Sequence, residues 1–357
     1  MVQCLPSREV QWHRQRHSQR LEALQACRMI AAVAVVLFHA NNFVLPMRLY
    51  EGETLWRGFG MGYAGVEFFF VLSGFIIAHI HAADIGRPER AGRFLQKRFL
   101  RIYPPYWIVL SALVLIYVAL EGIVSPSRLA PAALLRDYLL IPAPQRPLLS
   151  VAWTLKHEIL FYLLFVLFIL RREIGVVVCA LWLAGTLSQI PAASETPLFA
   201  TLFSPYNILF GMGVAVARLH RHLPESLVWP LLTAGGAGFL LVGLSEQFLV
   251  AWPLPLRCLA YGLAAAAVIA ALARAQTGAP GWCVFLGDAS YAIYLIHLPV
   301  MNMVAVPLAR TGLQEVLPPA VLFVFLVGLS ILAGALFHRG VERGLLAALR
   351  PRRRATL

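Results

Sequence analysis

Leu24-Gln25-Ala26-Cys27-Arg28-Met29-Ile30-Ala31-Ala32-Val33-Ala34-Val35-Val36-Leu37-Phe38-His39-Ala40 is an apolar run of helix length that carries an arginine and a histidine. Arg28 and His39 stand eleven residues apart. That spacing is about three helical turns and about 16 Å of rise, which puts both side chains on one face. Ionisable groups in hydrocarbon are costly, so such a pair is a functional-site hypothesis by default. The apolar run continues to about Leu45 and lacks a small-residue cleavage site, so it is too long for a signal peptide and is expected to stay as a membrane helix.

The rest of the chain agrees with that reading. Hydrophobic residues make up 60% of the 357 and charged residues 13%, with a mean hydropathy of +0.74. Soluble domains carry about 25% charged residues. The fold class expected is an all-α polytopic membrane protein with about ten transmembrane helices. Cys4, Cys27, Cys179, Cys258 and Cys283 are scattered without the paired spacing of a metal site or a disulfide framework, and are read as packing residues. No metal site is expected.

Hydropathy places the ten spans at residues 24–45, 62–82, 103–121, 150–170, 174–191, 198–217, 227–244, 252–273, 281–308 and 320–338, each near the length a bilayer core requires. With a cytoplasmic N-terminus, 22 of the 30 Lys and Arg residues fall in inner segments. An even number of spans with both termini cytoplasmic follows from the positive-inside rule. The domains expected are a basic N-terminal segment 1–23, a transmembrane domain 24–338 and a basic tail 339–357. The net charge of +13 is therefore a topology signal, and no nucleic-acid partner is expected. No P-loop or Gly-rich nucleotide turn supports an ATP-driven machine. The one long connection, 122–149, is Pro-rich and outer, and is a candidate wall of an outward-facing substrate site.

Four further segments carry polar groups where lipid would exclude them. Arg98 and Arg101, in Lys97-Arg98-Phe99-Leu100-Arg101-Ile102-Tyr103-Pro104, share a helical face at the inner mouth of the third span. Paired guanidinium forks suit phosphate oxygens, or else simply anchor to lipid headgroups. The fourth span opens with Trp153-Thr154-Leu155-Lys156-His157-Glu158, and Glu158 shares a face with Tyr162. Lys156 either snorkels and pairs with Glu158 or takes part in a site. Glu67 is the one acidic residue of the second span and needs a partner, with Arg28, His39 and Lys156 as candidates; Gly65 and Gly74 beside it suit close helix packing. Tyr291, Tyr294 and His297 follow one another at three-residue steps on one stripe.

In this order, these segments resemble the acyltransferase-3 family of bacterial integral membrane O-acyltransferases, especially its exopolysaccharide-acetylating branch. The resemblance rests on Arg28 and His39 of the first helix, the block Gly65 to Phe75, Arg98 and Arg101 before Tyr103-Pro104, the block Trp153 to Tyr162 and the block Ser290 to His297, with Val341-Glu342-Arg343 matching a closing motif. The family usually has Leu-Asp or Leu-Gln followed by a hydrophobic residue before the first-helix arginine, where this chain has Cys27, and it commonly has aspartate where Glu67 stands. No periplasmic esterase-like domain is expected at the C-terminus, so the form expected is the stand-alone membrane one.

The resemblance implies transfer of an acyl group, acetyl first among candidates, from cytoplasmic acyl-CoA to a hydroxyl of an extracytoplasmic glycan across a bacterial inner membrane. Acyl-CoA is a co-substrate, and no permanently bound cofactor is implied. Arg28, Arg98 and Arg101 are the expected donor-binding residues. His39 is the expected general base, with an acyl-histidine intermediate as the open alternative. Glu67 or Glu158 is expected to orient it, and Tyr162, Tyr294 or His297 to stabilise the oxyanion. Membrane lipids and a glycan or lipid-linked glycan are the other partners. The competing reading is a transporter, whose internal repeats and broken helices are not evident.

Overall fold

A computed structural model describes residues 8–120, 124–189 and 196–349, with side chains from Glu22 onward. Among the described residues there are helices and no strands. Hydrocarbon dictates this, because without water each backbone N–H and C=O must find its partner within its own helix. Ten long helices result: α1 (Arg8–His39), α2 (Gly65–Ile80), α3 (Ala91–Ala119), α4 (Trp153–Leu170), α5 (Arg172–Gln189), α6 (Tyr206–Leu219), α7 (Val228–Phe248), α8 (Leu254–Ala275), α9 (Ser290–Thr311) and α10 (Pro319–Phe337). The protein is an all-α polytopic membrane protein.

Nine helical stretches among the described residues are long and apolar enough to cross a membrane, against the ten expected. The missing one is the expected span 174–191. It exists as α5, an 18-residue helix, but it opens on Arg172-Glu173 and closes on Ser188-Gln189, so its apolar part is short. At about 1.5 Å per residue α5 measures about 27 Å, just under a bilayer core of about 30 Å. The expected span 281–308 is two helices, Gly281–Asp288 and α9, divided at Ala289. Residues 1–7 and 350–357 of the expected basic ends, 121 of the third span, 122–123 of the outer connection and 190–191 of the fifth span lie outside the described residues.

Among the described residues, two π-helical segments interrupt the α-helical pattern. Ala40–Leu49 follows directly on His39, with Pro46 inside it, and His338–Glu342 follows α10. Wide turns of this kind are rare and frequent at functional sites.

The chain forms two compact units. The first takes residues through Phe38, Trp56–His79 and Leu209–Ser290. Its packing depends on small residues, as expected where lipid offers no hydrophobic drive for helices to associate. A Cβ on Gly74 of α2 would sit 2.1 Å from the Phe210 carbonyl oxygen, and one on Gly213 of α6 would sit 1.9 Å from that of Val71. The two backbones touch there, as expected for the glycine-containing second span. The second unit takes His39–Leu55, Ile80–Ile208 and Tyr291 onward. In it the connection between α3 and α4 is stapled to α3: the Tyr106 hydroxyl donates to the Asp137 carbonyl at 2.6 Å and Trp107 Nε1 to that of Tyr138 at 2.9 Å. The buried Asp137 carboxylate accepts the Leu148 N–H at 2.8 Å, which ties the end of the connection to its middle.

Candidate active site

The second unit gathers most of the expected residues. His39, at the end of α1, places Nδ1 3.2 Å from Nε2 of His297 on α9. His297 is fully buried, and its own Nδ1 lies 2.7 Å from the Tyr294 carbonyl oxygen and 3.2 Å from that of Ile293. The hydrogen positions follow from this network. A carbonyl only accepts, so Nδ1 of His297 carries the hydrogen and Nε2 of the neutral ring is an acceptor. The hydrogen shared by the two rings therefore sits on Nδ1 of His39. In neutral His39 the lone pair is then on Nε2, the tautomer a general base requires.

The ring that faces Nδ1 of His39 is thus a second imidazole, that of His297, where the sequence offers Glu67 or Glu158. Glu158 accepts a hydrogen bond from the Tyr162 hydroxyl one turn along α4. Glu67 lies in the other unit with its own ion partner, as below. The expected oxyanion donors are also engaged elsewhere. A hydroxyl has one proton, and that of Tyr162 goes to Glu158. The Tyr294 hydroxyl lies 3.0 Å from Thr154 Oγ1 and 3.1 Å from the Val151 carbonyl oxygen, to which Thr154 also donates. Tyr294 consequently fixes α9 to the start of α4, a role that its place on the polar stripe did not reveal.

The stripe nevertheless connects two chemistries. Six residues before His297, Tyr291 puts its ring under the Arg101 guanidinium, 5.5 Å from ring centroid to Cζ, and donates to the Ile102 carbonyl at 2.9 Å. Tyr291 and His297 are separated by about 9 Å of helix rise. Arg101 and the histidine pair therefore lie against two ends of one short stretch of α9.

Both arginines have partners that their own spacing did not announce. Arg98 Nη2 lies 2.9 Å from Nε2 of His81, and His81 Nδ1 lies 2.7 Å from Asp84 Oδ2. The Arg98 guanidinium also covers the rings of Phe94 and Tyr162, at 5.6 and 5.7 Å. Arg101 Nη1 meets Oε1 of the fully buried Glu342 at 3.1 Å, and the other carboxylate oxygen accepts from His338 Nδ1 at 2.8 Å. Burial holds the His81 imidazole below its ordinary value despite the opposing hydrogen bond to Asp84. That same hydrogen bond holds the Asp84 carboxyl below the usual carboxylate value. Glu342 belongs to the closing motif; a lone acid four residues after His338, at the end of an apolar helix, was the sequence signal for it.

The start of α4 is structural in its other members. His157 Nδ1 lies 2.8 Å from Asn207 Oδ1, and Asn207 Nδ2 donates to the carbonyls of Thr201 and Leu202. Lys156 is buried rather than snorkelling, and the charge that acts on it is that of Asp137, in place of the expected Glu158.

In the first unit, Nε and Nη2 of Arg28 both donate to Ser290 Oγ, at 3.2 and 3.0 Å. The donor-binding arginine expected on α1 is thus tied to the first residue of α9. Glu67 is 1% exposed. Its ion partner is Arg257, with Nε 3.8 Å away, and not Arg28, His39 or Lys156. Neither Glu67 carboxylate oxygen has a hydrogen-bond partner among the described residues. Arg257 also lies over the Tyr63 ring at 4.7 Å, and the hydroxyls of Tyr63 and Tyr261 both donate to Glu246 Oε2. Arg257 and Glu246 sit alone in apolar sequence, where they read as span edges.

Membrane helices that bring two imidazoles together, with Arg101 stacked on the tyrosine six residues before one of them, have the makings of a membrane-embedded acyl-transfer enzyme. The comparison with known families gives the same class: the chain belongs to the acyltransferase-3 family, whose acyltransferase domain matches residues 21–339. It is a membrane O-acyltransferase, and the transporter reading is set aside. Among curated proteins it is similar to "Exopolysaccharide production protein ExoZ" of Rhizobium meliloti (strain 1021), 31% identical over 86% of this chain and 96% of the relative. It is also similar to "Acyltransferase MdmB" of Streptomyces mycarofaciens, 27% identical over 94% of each chain, and to "Nodulation protein 10" of Rhizobium leguminosarum bv. viciae, 27% identical over 77% of this chain and 81% of the relative. No solved structure matches the chain.

Proposed function

We propose that this protein transfers an acyl group, acetyl as the first candidate, from cytoplasmic acyl-CoA to a hydroxyl of an extracytoplasmic glycan of the exopolysaccharide type. The observation that carries the proposal is the His39–His297 pair, whose hydrogen-bond order leaves the lone pair on Nε2 of His39. The similarity to a protein named for exopolysaccharide production supports the acceptor class.

The chemistry balances on His39 alone. Its Nε2 takes the proton of the acceptor hydroxyl as the oxygen attacks the thioester carbonyl carbon. The tetrahedral intermediate then collapses, the C–S bond breaks, and the imidazolium returns the proton to the departing CoA sulfur. His297 keeps the ring oriented and shares the positive charge through its acceptor nitrogen. The segment of α3 that carries Arg98 and Arg101 supplies positive charge for the donor phosphates.

The proposed setting is a bacterial inner membrane with both termini cytoplasmic, which puts the arginines at the inner mouth. It requires α5 to cross as a tenth span. Its exposed Ile174, Val176, Val177, Leu181, Leu183 and Leu187 suit a lipid-facing helix, and a single residue, Arg171, joins it to α4.

The test is acyl transfer in cells that express the wild type, His39→Ala and His297→Ala at matched membrane levels, with ester-linked acyl groups on secreted polysaccharide quantified by NMR. Wild type is expected to add ester and His39→Ala to add none. His297→Ala is expected to lose about 10²-fold, in the range of a mispositioned base. Normal acylation by His39→Ala would overturn the mechanism, and acyl groups found on lipid instead of polysaccharide would overturn the acceptor.

A further inference from the structure

Arg98 and Arg101 share a face of α3 and look equivalent in sequence, but their partners differ in charge. Arg101 meets a carboxylate, that of Glu342, which is 0% exposed. Its charge is matched by a partner that water does not screen. Arg98 meets an imidazole. Asp84 Oδ2 accepts from Nδ1 of His81, which puts the lone pair of the neutral ring on Nε2, where it accepts from Arg98 Nη2 at 2.9 Å. An imidazole lone pair orients a guanidinium without cancelling its charge. Moreover, Nε of Arg98 is buried and has no hydrogen-bond partner among the described residues, so an anion would find a donor there already desolvated.

We propose that Arg98 is the residue that grips a phosphate of the acyl donor, that His81, fixed by Asp84, is its positioning residue, and that Arg101 is held for structure by Glu342 and His338. This rests on the acyl-CoA reading above and divides the work of the two arginines. It also predicts a pH response. Protonation of His81 at Nε2 would replace the hydrogen bond to Arg98 with two facing donors. The groups that face His81 are Asp84 on its own turn and Arg98 and Lys97 from α3, with Phe94 edge-on at 4.9 Å and Phe165 of α4 at 6.4 Å; Arg90 faces Asp84 at 3.5 Å. Burial keeps the ring neutral at neutral pH, so the grip should weaken only on acidification.

The test is binding of acetyl-CoA and of S-acetylpantetheine, which lacks every phosphate, to the purified full-length protein in nanodiscs. Wild type is expected to favour acetyl-CoA. Arg98→Ala and His81→Ala are each expected to weaken acetyl-CoA binding about 10-fold, the worth of one charge-assisted hydrogen bond, and to leave acetylpantetheine unchanged. Asp84→Asn, which keeps the side-chain size, should do the same to a smaller degree. His81→Gln, whose amide oxygen can accept from Arg98, should restore binding and abolish its loss between about pH 7.5 and about pH 5. If Arg98→Ala weakens binding and neither His81→Ala nor Asp84→Asn does, the positioning role is overturned while the donor reading stands. If Arg101→Ala alone selectively weakens acetyl-CoA binding, the division of work is overturned. If wild type binds both probes equally, the donor reading itself fails.

Discussion

Glu67 and Glu342 are both carboxylates buried to 1% and 0% exposure in membrane helices, and each faces an arginine. Around Glu342 every need is met: one oxygen takes Arg101 at 3.1 Å and the other takes His338 at 2.8 Å. Around Glu67 neither oxygen has a hydrogen bond among the described residues, and Arg257 stands off at 3.8 Å. The desolvation penalty of a buried ion is repaid only by good geometry and by hydrogen bonds to its remaining lone pairs. Glu342 therefore behaves as a tie between α3 and the turn after α10. Glu67 is left without that repayment and contributes little to the fold.

That contrast can be broken by substitution. The largest effect is expected at Glu342→Ala, which strands Arg101 and His338 together; the loss is about 3–5 kcal/mol, the scale for breaking a buried pair by removing one partner. Thermal unfolding in detergent, with the yield of monodisperse protein, would measure it. Glu67→Gln is expected to change stability by about 1 kcal/mol or less, because relief from burying a charge offsets the lost attraction to Arg257. A Glu67→Gln protein as unstable as Glu342→Ala would erase the distinction.

Asp84 sharpens the contrast from outside the membrane spans, and its effect is the smallest. Its folded pKa is depressed by His81, so its contribution is present above the unfolded value of about 3.9 and lost as pH falls through the folded one. The His81 pKa is lowered by burial, so the unfolded chain takes up its proton first and stability declines as pH drops below about 6.5. Both act in the same direction. Because Asp84 is 20% exposed, the combined slope amounts to about 1 kcal/mol or less. A melting temperature that falls on acidification in wild type and stays flatter in His81→Gln, which removes both the titrating ring and the group that depresses Asp84, would bear this out.

The contrast also marks what the sequence could supply. Long apolar runs and the sorting of Lys and Arg gave the helices, because length and charge bias are local properties. The run 174–191 was harder, since its polar ends bring α5 close to the limiting length. His39 stood out as an intramembrane imidazole, and His297 through its place on a three-residue stripe. Their pairing was not legible: it joins residues 258 positions apart, and nothing local distinguishes an imidazole partner from a carboxylate one. The same holds for Glu67, whose partner Arg257 sits in another apolar run. His81 lay in view beside Arg98 only once the turn between α2 and α3 was folded, and Tyr162 and Tyr294 looked like oxyanion donors because sequence does not tell where a hydroxyl proton is directed.

The π-helix after His39 bears on how the chain tolerates changes in length. A π turn bonds each residue to the fifth one along it, so it contains more residues per turn than an α-helix. The segment Ala40–Leu49 thus holds slack at the point where the first span passes beyond the histidine. Removal of one residue there can be absorbed by rewinding toward α geometry, with His39 left in register with His297. Removal of one residue between Arg28 and His39, where the winding is already α-helical, would instead turn the imidazole by about 100° away from its face. Relatives that differ in length should therefore gain or lose residues after the histidine and keep the interval before it.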